Sequence, residues 1–444
     1  MPMVEPEIES APWERQAKTD APLYLRQIEY LFQRSRFYRE KMANAGFETP
    51  GAAGGLGSIA SLPLTEKDEL RASRSPGEPI GTHLTATRDE IKRIYSTSGT
   101  TGTPSYIPLT AADLDVWVRT SARSYAASGI VSGERIVSTY NAGPFVAGAA
   151  LAAFDRLGLC HIPVGSGNTE RLMTAIDLLK PTVAVLTPSY ALHLAEWAQE
   201  RGMDLRGSSV KRVLVAGEPG GGEPAMRAKL EEAWGASVTE AMGIGDISVS
   251  LWGECEEKAG MHFSGRGFVH IELIDPETGA AKPIVDGAEG ELVLTHLVNR
   301  SAPLLRFRTR DHVRMGVGPC ACGRTSPRVR CIGRTDDMLI VRGVNVFPSA
   351  IRSIVADLAP ATNGVIRVVA DFEGHTTQNP LKVIVEQGEG QPPDVAEALR
   401  QLVETRLRDA LAFKAAVRVV PAGTFPSPGV AKVNLTLRAD PVLP

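Results

Sequence analysis

The sequence predicts an α/β protein: a large N-terminal domain of parallel sheet, helices and a β-rich subdomain, then a small α+β domain. A chain of 444 residues exceeds one ordinary hydrophobic core, so we expect two domains. Between about residues 130 and 215, short β-branched or apolar runs alternate with helical stretches, which is typical of a parallel sheet covered by helices. From residue 336 onward, the order strand, helix, strand, strand, helix, strand indicates a separate small domain. We therefore predict domains at 1–335 and 336–444.

The segments in between support this division. Segment 22–46 repeats apolar residues at spacings of three and four, which predicts helix. Two strand-like runs near 183–189 and 213–222 end in loops, and ligands bind beyond the carboxyl ends of parallel strands. After residue 265 the chain becomes rich in β-formers and turns, which indicates hairpins or a small barrel.

Composition excludes several classes of protein. With 43% hydrophobic and 22% charged residues, the chain is typical of globular proteins. A net charge of −3 gives no electrostatic reason to expect nucleic acid or a membrane surface as partner. The longest apolar run is too short to span a bilayer, and the acidic N-terminus does not look like a secretory signal. Because five cysteines are too few for a disulfide scaffold, a cytoplasmic location is expected.

The stretch 95–108, "YSTSGTTGTPSYIP", contains seven Ser or Thr residues among its fourteen. It could be a flexible surface turn, since these are ordinary loop residues. It could also hold phosphate, because glycines allow close approach of the backbone, and successive N–H groups and hydroxyls donate to an anion. It does not end in the Gly-Lys-Ser/Thr of a Walker A loop. The candidate phosphate-binding residues are Ser98, Gly99, Thr100, Thr101 and Gly102.

Four further residues predict a metal centre. Cys255 and His262 bracket one short loop, and Cys320 and Cys322 form a C-x-C pair about sixty residues later. Thiolate and imidazole ligands suit a tetrahedral structural Zn²⁺. The C-x-C spacing is tighter than the usual C-x₂-C, so separate reduced thiols are the alternative.

Four other stretches accompany the loop in a fixed order: "VAGEPGGG" (215–222), "MGIGD" (242–246), "RFRTRD" (306–311) and "GRTDDMLIVRGVNVFPSAI" (333–351). Together they resemble the adenylate-forming superfamily of acyl-CoA synthetases, and more closely the phenylacetate–CoA ligase family. The similarity runs from about Leu23 to Arg438. "GNTERL" and "KPTVAVLTPSYAL" are also close to that family.

The resemblance implies that ATP and a carboxylic acid give an acyl-adenylate and pyrophosphate, and that the acyl group then passes to a thiol, usually CoA. The loop around Thr100 would hold the leaving phosphates, and Thr100 is counted among the catalytic residues. Asp246 stands where the superfamily usually has Glu as a Mg²⁺ contact; an N-cap aspartate is the alternative. Asp311 matches the acid that binds the ribose hydroxyls. The remaining nucleotide-site residues implied by the resemblance are Gly217, Glu218, Pro219, Met242 and Gly243.

Three arginines alternate with Asp311 in this stretch, and strand alternation would turn them to the opposite face. We expect Arg306, Arg308 and Arg310 to form a solvated basic face.

The resemblance also implies a hinge at Asp336, about which the small domain swings, with Arg334 meeting the nucleotide and Gly343 packing against pantetheine. The family ends with a Gly-Lys pair and a second Lys, but the first of these lysines is Val430 here. Lys432 lies two residues on and would point to the same side of an extended strand, so it is our candidate for the catalytic cation. A surface lysine without a role is the alternative.

Aromatic and apolar residues at strand ends are candidates for the acyl pocket, because such walls suit a planar ring. They could equally be core residues. The candidates are Tyr140, Phe145, Tyr190 and Ile244.

The leading hypothesis is an aryl- or arylacetate–CoA ligase that uses ATP, Mg²⁺ and CoA on a small aromatic acid. One alternative keeps adenylation but delivers the acyl group to an amine, a hydroxyl or a carrier-protein thiol. Another is a nucleotide-binding pseudoenzyme, which the Val430 substitution permits. Relatives make a homodimer plausible.

Overall fold

The computed structural model describes most of the chain. The described residues are 2–96, 105–140, 146–165, 168–218, 220–342, 344–425, 434–439 and 441. Among the helices in these ranges, none combines the length and apolar character that a bilayer crossing requires.

Eleven α-helices lie in the described part of the chain. The helical segment predicted at 22–46 is confirmed, but it breaks at Ser35, whose hydroxyl accepts a hydrogen bond from the Tyr38 N–H at 3.2 Å and caps the second piece. The helices are α1 (Pro6–Glu9), α2 (Gln16–Arg34), α3 (Arg36–Asn44), α4 (Lys67–Ala72), α5 (Ala111–Ala127), α6 (Ala150–Arg156), α7 (Thr169–Leu179), α8 (Pro188–Glu200), α9 (Pro224–Trp234), α10 (Pro348–Ala356) and α11 (Ala396–Leu411).

Twenty-one strands lie in the same described ranges. They are β1 (Ile91–Ser96), β2 (Tyr106–Thr110), β3 (Arg135–Ser138), β4 (Cys160–Pro163), β5 (Val183–Leu186), β6 (Arg212–Ala216), β7 (Ser237–Ile244), β8 (Ser248–Glu254), β9 (Met261–Phe263), β10 (Val269–Ile274), β11 (Ala281–Lys282), β12 (Glu289–His296), β13 (Phe307–Gly316), β14 (Arg328–Arg334), β15 (Leu339–Val341), β16 (Val344–Val346), β17 (Thr362–Val369), β18 (Thr376–Thr377), β19 (Leu381–Gln387), β20 (Ala415–Val420) and β21 (Thr436–Leu437).

Twelve of these described strands form one mixed sheet, in the order β11-β10-β12-β13-β14-β9-β8-β7-β6-β5-β3-β4. Strand β3 pairs in parallel with β4 and β5, as the strand–helix alternation predicted. The β-rich part adds antiparallel neighbours: β10 pairs with β12, and β12 with β13. Within the described residues, the hairpins therefore extend the large sheet, and the barrel that the sequence left open is not formed.

The chain divides into two compact units. The first comprises Met1–Val185, Ser209–Gly217 and Thr239–Arg330; the second comprises Leu186–Ser208, Glu218–Val238 and Cys331–Pro444.

The first unit holds most of the large sheet. The second holds α8 and α9 together with the C-terminal α+β part, in which α10 and α11 pack on a sheet of order β20-β19-β17-β21. The strands and helix expected at the C-terminus are confirmed, while the boundary at Asp336 stays a prediction.

Candidate active site

A hairpin carries the predicted phosphate loop. Strands β1 and β2 pair antiparallel with Ser96 opposite Tyr106, so residues 97–105 connect their ends. The Tyr95 ring stacks on Trp117 of α5, with 6.1 Å between ring centroids and 9° between planes, which ties β1 to the core. The predicted phosphate ligands Ser98, Gly99, Thr100, Thr101 and Gly102 lie outside the described residues.

Asp246 lies in the turn between β7 and β8, so it is not a helix N-cap. Its Oδ2 accepts a hydrogen bond from Lys67 Nζ at 2.6 Å, and the Asp246 side chain is only 12% exposed. A carboxylate is a hard oxygen ligand of the kind Mg²⁺ prefers, so the residue type fits that ion. The Lys67 ammonium group bonds one oxygen of this carboxylate, so a metal ion would have to share the carboxylate with Lys67.

Sequence reasoning missed Lys67. The residue begins α4 inside the acidic run "TEKDELR", 179 positions from its partner, so no local pattern marks it. His83 was also missed: it lines the same small cleft as Asp246 and is 6% exposed. Burial, and secondarily the nearby Arg74, lowers its pKa to about 4, so the imidazole is neutral near pH 7.

The end of β7 is irregular where it approaches this turn. Met242 pairs with Trp252 and Ile244 with Ser248, with a register shift between the two pairs at Gly243. A Cβ on Gly243 would lie 1.9 Å from the Val249 carbonyl oxygen, so only glycine fits. Ile244 is 7% exposed and belongs to the core of the first unit, against which Met242 packs.

A second irregularity presents Asp311. Val293 pairs with Arg308 and Glu291 with His312, so three residues of β13 stand opposite the single residue between them on β12. Arg310 has a positive φ of 65°, which breaks the regular alternation of the strand. Such bulges re-aim side chains, and the half-buried Asp311 lies within this one.

The expectation of a solvated basic face is wrong. Arg306 is 2% exposed; its Nε donates to Glu272 Oε1 at 3.1 Å, and its Nη2 lies at ion-pair distance, 3.0 Å, from the same oxygen. Its Nη1 also donates to the Ala60 carbonyl at 2.9 Å. The alternation argument failed because Arg306 itself has a positive φ of 48° and because strand β10, two strands away in the sheet, supplies a buried acid.

The two arginines that follow also have acidic partners. Arg308 bonds Glu291 at 2.7 Å and Glu66 at 3.1 Å, and Arg310 bonds Glu66 at 2.5 Å. Hydrogen bonding to Glu291, which is fully buried, raises the pKa of Arg308. These pairs clamp the bulged segment around Asp311 between β12 and α4.

Two predicted site residues in the second unit have clear structural contacts. Glu218 Oε1 accepts the Ser189 N–H at 2.7 Å, which places a carboxylate at the N-terminus of α8. Tyr190, in the first turn of α8, is 3% exposed and stacks on His193 with 5.9 Å between centroids.

Arg334 and Asp336 form a bidentate pair. Their bonds measure 2.9 Å from Nε to Oδ1 and 2.7 Å from Nη2 to Oδ2, at the end of β14. Both side chains are more than 40% exposed, so the pair adds little stability. Gly217 ends a segment of the first unit. The predicted site residues Phe145, Pro219, Gly343 and Lys432 lie outside the described residues.

Tyr140 follows β3 and is half-buried against a cluster that contains Tyr125 and Phe154. Burial raises its pKa to about 12, so the hydroxyl stays protonated. Tyr140 thus packs its phenol ring on an apolar cluster at this end of the parallel strands.

The predicted metal ligands come together. Cys255 follows β8, His262 lies in β9, and Cys320 and Cys322 lie in the loop between β13 and β14. Their ligand atoms all lie within 4.8 Å of one another. The Cys255 and Cys320 sulfurs are 3.6 Å apart, and Cys322 Sγ is 3.4 Å from His262 Nε2.

This donor set fits zinc. With Zn–S bonds of about 2.3 Å, tetrahedral ligand atoms lie roughly 3.8 Å apart, close to the spacing here. His262 Nδ1 faces the Ser326 carbonyl at 3.4 Å, which leaves Nε2 directed at the sulfurs. Hydrogen bonds from the Cys255 thiol and His262 lower the pKa of Cys322, so thiolate character is already favoured.

Comparisons with known proteins agree with this geometry. The model of the family described as AMP-binding enzyme matches residues 52–296. The chain belongs to the AMP-binding enzyme family.

Within this family, it is 33% identical over 441 residues to the phenylacetate-coenzyme A ligase of Thermus thermophilus, covering 96% of each chain. It is 31% identical over 400 residues to the phenylacetate-coenzyme A ligase of Aromatoleum evansii, covering 88% of this chain and 87% of the relative.

A crystal structure of 2-hydroxyisobutyryl-CoA ligase in complex with 2-HIB-AMP superposes with a TM-score of 0.88 at 27% identity, covering 99% of this chain and 94% of the other. The predicted adenylate-forming fold is therefore confirmed, and the chain is an AMP-forming enzyme of the acid–thiol ligase type, similar to phenylacetate–CoA ligases.

Proposed function

We propose that this AMP-binding enzyme activates a small aromatic carboxylic acid with ATP and transfers the acyl group to CoA. The observation that carries the proposal is the near full-length identity of 33% to a phenylacetate-coenzyme A ligase. The half-buried Tyr140 beside Tyr125 and Phe154 supports an apolar acyl pocket.

The chemistry explains why these residues are needed. A carboxylate is a poor electrophile, and a mixed anhydride with AMP supplies a good leaving group. Attack at the α-phosphorus spreads negative charge, so the protein contributes mainly position and cationic stabilisation. The loop at 98–102 would hold the leaving phosphates, and Asp311 would accept hydrogen bonds from the ribose hydroxyls.

Asp246 would hold Mg²⁺, which neutralises phosphate charge when bound. The other proposed nucleotide contacts are Gly217, Glu218, Pro219, Met242, Gly243 and Arg334.

We assign the second half-reaction to motion of a C-terminal domain, 336–444, about Asp336. Hinges are a few element-terminal residues that absorb a large change in φ and ψ. Asp336 follows the end of β14 and is held by the exposed Arg334, a contact that is cheap to break. Gly343 would then face the pantetheine arm.

Lys432 supplies the cation for adenylation in this proposal, because Val430 stands where the family resemblance implies a lysine. The Lys432→Ala variant should lose adenylate formation but keep thioester formation from preformed acyl-AMP, and Lys432→Arg should restore part of the first step. The exposed Lys414 gives a matched control, Lys414→Ala. If Lys432→Ala and Lys414→Ala form the adenylate at the same rate, Lys432 does not supply this cation.

The Cys₃His cluster would hold one structural Zn²⁺. Its residues link β8, β9 and the loop before β14, and an ion with four protein ligands has no open position for chemistry.

A short branched hydroxy acid is the second candidate substrate, because the structure with a TM-score of 0.88 is that of a 2-hydroxyisobutyryl-CoA ligase. Acid-dependent pyrophosphate release separates the two: phenylacetate and 2-hydroxyisobutyrate are compared at equal concentration with ATP and Mg²⁺.

Mass spectrometry after addition of CoA then identifies the acceptor. Acyl-CoA supports the proposal, whereas adenylate without thioester favours an amine, hydroxyl or carrier-protein acceptor. If no acid causes pyrophosphate release, the alternative of a nucleotide-binding pseudoenzyme is favoured.

A further inference from the structure

A buried histidine outside the predicted site contacts the turn that carries Asp246. His296 is the last residue of β12 and is 4% exposed. Its Nδ1 accepts the Leu304 N–H at 3.0 Å, and its own backbone N–H donates to the Leu304 carbonyl at 2.9 Å. Its Nε2 lies 3.4 Å from the carbonyl oxygen of Ile247, the residue after Asp246.

These contacts determine the tautomer of the ring. Because Nδ1 accepts a backbone N–H, it cannot carry a proton, so the neutral imidazole is protonated at Nε2. Nε2 therefore donates to the Ile247 carbonyl. Burial lowers the pKa of His296 to about 4, which keeps the ring neutral near pH 7.

The hydrogen bond from His296 to the Ile247 carbonyl matters because Asp246 lies at the tip of a turn, where few other contacts among the described residues hold the backbone. The turn closes through the Ile247 N–H, which donates to the Ile244 carbonyl at 2.7 Å, and the Asp246 carboxylate is pulled toward Lys67. The imidazole adds a tie from this turn to β12 and to Leu304, in the segment that leads into β13 with Asp311. One ring thus connects the backbone segments that present both carboxylates.

We propose that His296 is a positioning residue, which fixes the Asp246 turn for metal binding through its hydrogen bond to the Ile247 carbonyl. This inference rests on the proposed role of Asp246 as a Mg²⁺ contact. Partners that orient a ligand change metal affinity by about 10- to 100-fold when removed, even though they do not touch the metal.

Two substitutions separate the two hydrogen bonds of the ring. His296→Asn keeps an acceptor near the position of Nδ1 for the Leu304 N–H but has no group that reaches Ile247. His296→Gln carries an amide that reaches the position of Nε2 and can donate to Ile247. The matched control is His270→Asn, on the adjacent strand β10, whose ring lies 4.0 Å from Asp20.

The first readout needs neither metal nor nucleotide. Hydrogen exchange of the Ile247 amide should be about tenfold faster in His296→Asn than in the wild type, since loss of a hydrogen bond of this kind changes local opening by about that factor. Exchange in His296→Gln and His270→Asn should stay at the wild-type rate.

The second readout is acid-dependent exchange between ATP and pyrophosphate, measured against free Mg²⁺. The half-saturating Mg²⁺ concentration should rise about tenfold in His296→Asn, with the maximal rate recovered at high Mg²⁺, and His296→Gln should restore it. If His296→Asn does not fold, His296→Thr, which also keeps only the acceptor, takes its place.

Wild-type amide exchange and Mg²⁺ dependence in the Asn or Thr variant would overturn the inference, and so would a Gln variant as impaired as the Asn variant. Absence of ATP–pyrophosphate exchange in the wild type with every acid would instead refute the proposed function. The amide-exchange comparison would still decide whether His296 holds the turn.

Discussion

Replacing Gly243 with alanine adds one methyl group where the β7–β8 hairpin leaves no room for it. The new Cβ would lie 1.9 Å from the Val249 carbonyl oxygen and 2.5 Å from its carbon, whereas ordinary contacts begin at 3.4 Å. The strands must therefore separate by about 1.5 Å at this point, and both atoms in the way belong to the backbone. Overpacking of this kind costs roughly 1–3 kcal/mol of unfolding free energy.

The same displacement should reach Asp246, which lies three residues further on at the tip of this hairpin. A misplacement of about 1 Å at a reacting centre can lower a rate by about 10²-fold. We expect Gly243→Ala to release pyrophosphate at about a hundredth of the wild-type rate, with a smaller loss of stability.

The assay compares urea unfolding and acid-dependent pyrophosphate release with those of Gly77→Ala. At Gly77, an added Cβ meets no described atom within 4 Å, so this variant controls for the extra methyl group itself. If the two variants have the same stability and the same activity, the close approach of β7 and β8 at Gly243 does not position the site.

Three further perturbations test other parts of the structure. Burial lowers the pKa of His83 and His296 to about 4, below the unfolded value of about 6.5, so the stability they contribute is complete above pH 6.5 and is lost as the pH falls toward 4. Unfolding free energy from urea titrations should therefore drop by up to roughly 3 kcal/mol per histidine across this window; a flat profile would contradict the burial. Arg306→Met leaves Glu272 buried without its ion-pair partner and should cost about 3–5 kcal/mol in urea unfolding, mostly recovered by adding Glu272→Gln; a loss under 1 kcal/mol would be inconsistent with this ion pair. Cys320→Ser should abolish near-stoichiometric zinc in elemental analysis and lower the unfolding temperature, whereas unchanged zinc content would exclude this ligand.

Local patterns predicted what depends on neighbouring residues. The strand–helix alternation follows from short-range periodicity, and the parallel pairing of β3 with β4 and β5 confirms it. The metal cluster was predicted because cysteine and histidine are rare and were paired at close spacing. The periodicity and the Cys and His pairs can be recognised in the sequence because each depends on residues only a few positions apart.

Long-range partners could not be predicted in the same way. Arg306 was expected in solvent because the alternation rule assumes regular strands, and neither its positive φ nor its contact with Glu272, 34 residues away, leaves a local signal. Lys67 was missed for the same reason, since it meets Asp246 from 179 residues away. The exposure of basic residues is especially hard to predict, because a single buried acid elsewhere in the chain can hold such a residue in the interior.

Strand β8 separates the Asp246 turn from the Cys₃His cluster. Its length keeps an ion bound at one of them away from the other. Asp246 precedes the strand and Cys255 follows it, so the seven extended residues of β8 put the two roughly 20 Å apart. An ion bound at Cys255 is therefore too distant to polarise a phosphate or a carboxyl group near Asp246. Folded Cys320→Ser protein should lose stability while keeping its half-saturating Mg²⁺ concentration, whereas His296→Asn should raise that concentration while keeping its zinc. A Cys320→Ser variant that is fully stable but needs more Mg²⁺ would contradict this separation.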